Sequence, residues 1–137
     1  SEGRVISPHT LVWSGFRWHV RAYCEKNKDY RDFVLSRLIE PPVITLSSDN
    51  GIEEDKAWNT SVTINIKPDA RLKPEQKKII ASEYGMKSGR LKIPTRGALV
   101  TYMLQMLRID PHISQKNPEA QQIEIDNLKE IKRWVFD

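Results

Sequence analysis

Residues 16–24 alternate strictly between two kinds of side chain. Phe16, Trp18, Val20, Ala22 and Cys24 fall on one side of a strand, and Arg17, His19, Arg21 and Tyr23 on the other. The first side can enter a core; the second sets two guanidiniums, an imidazole and a phenol at every second position. Short apolar runs at 5–6 and 11–13 flank Pro8, and Ser14-Gly15 is a turn signal before the long strand. A charged loop at 25–29 leads to a third extended segment, 30–39, closed by Pro41-Pro42. This meander is the raw material of a small barrel, with too few strands to close one. It predicts a chain cut from something longer, with an open strand edge that invites a strand-mediated or swapped dimer, or else a disordered N-terminal segment.

The rhythm changes after residue 43. Ser47-Ser48-Asp49-Asn50-Gly51 is turn-rich and Glu53-Glu54-Asp55 acidic, so 43–57 is read as a linker between a first domain, 1–42, and a second, 58–137. The acidic run reads as a solvated loop, with a plug over the basic strand as the alternative. Val62, Ile64 and Ile66 alternate inward along a strand at 61–67. Pro74-Glu75 opens a helix that runs to Tyr84 and stops at Gly85. A short strand follows at 90–93. Thr95 then caps an apolar helix containing Leu99, Tyr102, Met103, Met106 and Leu107. The order strand, helix, strand, helix makes this an α+β unit. From Asn117 the spacing of Ile125, Leu128 and Ile131 predicts a further helix, and the apolar end 134–136 must dock on its own domain or on a partner subunit.

Composition changes the picture little. With 137 residues, 39% hydrophobic and 29% charged, the chain reads as globular, and its formal charge of +4 permits nucleic-acid contact without requiring it. No apolar run is long enough to cross a bilayer, and a single cysteine excludes an internal disulfide, which suits a cytoplasmic protein without membrane contact. Cys24 lies on the apolar side of its strand and reads as a buried structural thiol. His9, His19 and His112 lack metal-ligand spacing, so neither a metal nor a cofactor is expected. Trp13, Trp18, Trp58 and Trp134 read as packing residues.

The candidate chemistry is the row Arg17, His19, Arg21 and Tyr23. Arginine forks match phosphate oxygens in pairs, histidine adds charge near neutral pH, and tyrosine adds a donor and a ring on which a base can stack. The competing reading is a solvated face with its arginines paired to Glu25, Asp29 or Asp32. A nuclease or phosphotransferase would need a base or metal carboxylates; Asp29 and Asp32 are the close acids, and no catalytic motif frames them, so no enzyme is expected.

The ordered series Ile6-Ser7-Pro8-His9, Trp18-His19-Val20, Arg21-Ala22-Tyr23-Cys24 and Arg31-Asp32-Phe33-Val34-Leu35-Ser36-Arg37-Leu38 resembles the end of a WYL domain. Trp18-His19-Val20 stands at the family's Trp-Tyr-Leu tripeptide and keeps its first residue. Asp55 and Trp58 before a strand, with Tyr84-Gly85-Met86 after a helix, resemble the WYL C-terminal extension domain. The resemblance implies a partial Sm-like or SH3-like β-barrel followed by a small α+β extension domain. It implies the sensing and dimerisation portion of a bacterial transcription regulator, similar to regulators of phage-defence operons. Such regulators form homodimers, bind a nucleotide or short single-stranded nucleic acid, and reach operator DNA through an N-terminal winged helix. The resemblance adds His9, Arg31 and Arg37 to the ligand-contact candidates. Arg31 and Arg37 share strand parity with Phe33 and Leu35, which leaves the faces of that strand open. A pure interaction module without ligand is the rival reading.

Overall fold

The computed structural model describes residues 4–37, 43–44, 48–113 and 117–136; the expected Pro41-Pro42 stop lies outside them. The chain separates into two compact units, 1–59 and 60–137. Among the described residues no helix is long and apolar enough to cross a membrane.

The first unit is an antiparallel sheet of β1 (Ile6–Trp13), β2 (Trp18–Cys24) and β3 (Asp29–Val34), with β2 in the centre. The two short apolar runs around Pro8 are one strand, bent where the register slips between Pro8 and Thr10. That bulge takes up His9 as the extra residue. Gly15, with φ of 99°, forms the first hairpin turn, which Ser14 N–H closes by donating to the Arg17 carbonyl at 3.1 Å. β3 is shorter than its pattern suggests and ends in a 3-10 turn over Leu35–Arg37. Leu35 and Arg37 have left the strand there, which confines the parity conflict to Arg31 and Phe33, both still on one face of β3. A closed barrel is not formed by the described residues; the observed α+β architecture contains two three-stranded sheets.

The apolar face of β2 is buried at Val20, Ala22 and Cys24 as alternation requires, but the polar row is buried too and the tryptophans are not. His19 is 2% exposed and Arg21 7%, while Trp13 and Trp18, expected in the core, are 52% and 49% exposed. The physical reason is where cover falls. The segment Ile52–Asn59, a 3-10 turn over Ile52–Glu54 followed by the helical turn α1 (Lys56–Asn59), packs on the polar row. The two tryptophans stand at the hairpin's far end and lean on each other at 5.5 Å.

The second unit places β4 (Ser61–Pro68) between β5 (Leu91–Arg96) and β6 (Ile123–Ile125). Ile64 and Ile66 are fully buried, and Val62 packs beside them, as alternation requires. Helix α2 (Pro74–Glu83) contributes Ile80, and Gly85 ends it at φ of 64°. Helix α3 (Val100–Met106) contributes Val100 and Leu104. Thr95 does not cap α3. It pairs with Val62 within β5, and Gly97 N–H extends that ladder to the Thr60 carbonyl before a 3-10 turn leads into the helix.

The expected C-terminal helix is also interrupted. Helical turn α4 (Pro118–Gln121) stops at Gln122, whose φ is 62°, and Ile125 then pairs with Ile66 as part of β6. The helical turn α5 (Leu128–Ile131) follows, buries Ile131, and leads to Trp134 and Val135 against the core. Gly97 permits this closure, since a Cβ there would lie 2.5 Å from the Trp134 ring.

Candidate functional site

β2 is flanked on both sides, so its side chains are aligned by register with those of β1 and β3. Arg21 stands opposite Asp32 on β3 and Thr10 on β1, and Tyr23 stands opposite Tyr30. The bulge turns His9 toward the same face. Into this face comes Asp55, itself 1% exposed. Arg21 Nε donates to Asp55 Oδ2 at 2.8 Å and Nη2 to Oδ1 at 3.1 Å, a two-point fork on one carboxylate. His9 Nε2 lies 2.9 Å from Asp55 Oδ2, and Trp58 N–H donates to Oδ1 at 3.2 Å. Asp55 thus caps α1 while accepting from two strands.

Aromatic rings wall the cluster. His9 meets Trp58 edge-on at 5.3 Å, Tyr23 meets Tyr30 at 5.2 Å, and the Tyr30 hydroxyl donates to the Gly51 carbonyl at 2.7 Å. Asp32 lies 3.6 Å from both Arg21 Nη1 and His19 Nε2.

Burial opposes the charge on Asp55, but the bonds from Arg21, His9 and the Trp58 amide outweigh it and hold the carboxyl below its usual range. Burial likewise opposes the Arg21 charge, and the Asp55 hydrogen bond with the nearby Asp32 charge raises its pKa regardless. Burial lowers the His19 pKa; Asp32 pulls upward, and the Arg21 and Arg17 charges reinforce the burial.

The candidates therefore divide. His9, His19, Arg21 and Tyr23 converge on one face. Arg17 is exposed in the hairpin turn, Arg31 is exposed on the opposite face in register with Ala22, and Arg37 is exposed in the 3-10 turn. Asp55, in the run read as a solvated loop, is the buried member of that run, while Glu53 and Glu54 are exposed. Its local signal was the capping position two residues ahead of Ala57-Trp58. Among the described residues no group of three or more His, Cys, Asp or Glu is placed to hold a metal ion.

Two matches to known families fall one in each unit. Residues 1–43 match the WYL domain. Residues 61–131, just over half of the chain, match the family described as BrxR transcriptional regulator, C-terminal dimerization domain, and the chain belongs to that family.

Its relatives include the DNA-binding transcriptional repressor CapW of Pseudomonas aeruginosa, 40% identical over 132 residues, which cover 96% of this chain and 44% of the relative. CapW of Stenotrophomonas maltophilia is 31% identical over 131 residues, covering 96% of this chain and 44% of the relative. CapW of Escherichia coli strain KTE188 is 35% identical over 133 residues, covering 93% and 42%. The chain thus spans less than half the length of these repressors.

Proposed function

We propose that this chain is the ligand-sensing and homodimerising portion of a cytoplasmic bacterial transcriptional regulator, of the kind that controls phage-defence operons. Operator contact in the whole regulator is assigned to a winged helix, as the WYL resemblance implies. The ligand is a nucleotide or short single-stranded nucleic acid taken by the Arg21 face. The carrying observation is the donor set around Asp55: an arginine fork, an imidazole and a backbone amide converge on one carboxylate, 2.8 to 3.2 Å away. The same donors suit a phosphate. In this reading Asp55 is an internal stand-in for the ligand's anion. A phosphate that displaces it removes the cap from α1 and loosens the segment that leads in sequence into the second unit. That is a population shift, and its extent is set by the ligand's preference for the displaced state.

The same ion pair favours a second reading. Arg21 is already neutralised, and a salt-bridged, closed face fits a module that only holds subunits together.

Titration of labelled dinucleotides and short single-stranded oligonucleotides separates the two. Sensing predicts binding to the wild type, loss of binding in Arg21→Ala, and tighter binding in Asp55→Asn, where the competing charge is gone. Absence of binding to wild type and Asp55→Asn alike would leave the module reading standing.

A further inference from the structure

Helix α3 is apolar on two sides. Val100 and Leu104 fill the core, with Met103 and Leu107 packed against it. Tyr102 and Met106 lie outside that core cluster, at the i, i+4 spacing of one helix face, and Leu99, at the end of the preceding 3-10 turn, lies outside it as well. Met106 is 57% exposed. The chain's end adds to the same stripe. Trp134 and Val135 are held by the core, so the next residue is delivered to a fixed place. Phe136 meets Tyr102 edge-on at 5.7 Å, its amide donates to Thr101 Oγ1 at 2.9 Å, and 47% of it remains exposed. An aromatic residue tied down by a backbone hydrogen bond beside an exposed methionine is a preorganised apolar surface. Gln105 and Arg108 are exposed beside it and supply a polar rim.

We infer that this stripe, Tyr102, Met106 and Phe136 with Leu99, is the face by which the second unit meets a second copy of the chain. The inference rests on the homodimer reading and gives that reading its surface. The occupant follows from the family to which residues 61–131 belong, a dimerization domain whose matched span contains the whole of α3. A two-fold interface must be self-complementary, with the same patch on both copies. Rings and thioethers at its centre satisfy that requirement, because methionine adapts its shape to whatever it faces and aromatics are enriched in interface cores.

The test is sedimentation equilibrium on the full chain, comparing wild type with Met106→Asp and Phe136→Asp. Ile79→Asp serves as control, since Ile79 is 58% exposed on α2 and outside the stripe. Expected is a wild-type dimer, unchanged in Ile79→Asp, and weakened at least about tenfold in dissociation constant by either stripe substitution. Oxidative cross-linking of Met106→Cys guards against misfolding of the charged variants, because the native Cys24 is fully buried. It should give a covalent dimer that Ile79→Cys does not. A wild-type dimer that both aspartates leave intact, with no Met106→Cys cross-link, overturns the choice of face. A monomeric wild type overturns the homodimer reading as well.

Discussion

Arg21 and Asp55 face each other with their side chains only 9% and 1% exposed, so each depends on the other for compensation. Breaking a buried pair from one side leaves an unpaired charge, which costs about 3–5 kcal/mol. Arg21→Met should therefore lower the opening free energy of the Val20 and Ala22 amides by about that amount in native-state hydrogen exchange. Adding Asp55→Asn should restore a large part of it, and two independent losses in that double-mutant cycle would refute the coupling. The pH sign follows from the depressed Asp55 pKa. Its stabilisation is fully present above the ordinary carboxylate value of about 4 and is lost as pH falls through the lower folded value. The gap between wild type and Arg21→Met should accordingly close in strong acid. The polar row of β2 is legible from alternation alone. Its partner is not, because Asp55 lies 34 residues away from Arg21 and nothing local ties a capping aspartate to a particular arginine.

Among the elements, β4 is the strand on which the second unit depends, and its alternating isoleucines make it plain in the sequence. Its neighbour β6 is not, for two reasons. A three-residue strand has no periodicity to read, and Ile125, Leu128 and Ile131 carry helical spacing across a boundary that the backbone does not respect. The shortness of β6 leaves β4 backbone groups to be satisfied by other means. The Asn127 side chain takes over the ladder: its Oδ1 accepts from Asn65 N–H at 2.9 Å and its Nδ2 donates to the Thr63 carbonyl at 2.8 Å. Asn127 is 9% exposed, so water is a poor substitute there. Asn127→Ala should cost about 1–3 kcal/mol for each group left unmet. The measurement is the exchange rate of the Asn65 amide; unchanged protection would show that the side chain is dispensable to the ladder. The apolar row of β2 teaches the reverse lesson. Alternation puts Trp18 on one face with Val20, Ala22 and Cys24, but it cannot say that cover reaches those three and stops short of the tryptophan.

For the whole molecule, two small units must each find enough buried surface, and small domains are marginal for that reason. A second copy covering the α3 stripe would add buried apolar area where the second unit has Met106 and Phe136 exposed, and stability would then depend on mass action. When two chains fold into one dimer, each tenfold rise in protein concentration favours the folded state by about 1.4 kcal/mol per dimer. For two copies of the second unit that corresponds to a rise of roughly 3–6 °C in Tm. Calorimetry across a hundredfold concentration range should show the second unit's transition moving upward by that increment per decade. The same series on Met106→Asp should be flat at the lower concentrations, where the weakened dimer has dissociated. A wild-type transition independent of concentration would mean that the unit folds without its partner, and that dimerisation, where it occurs, joins units already stable alone.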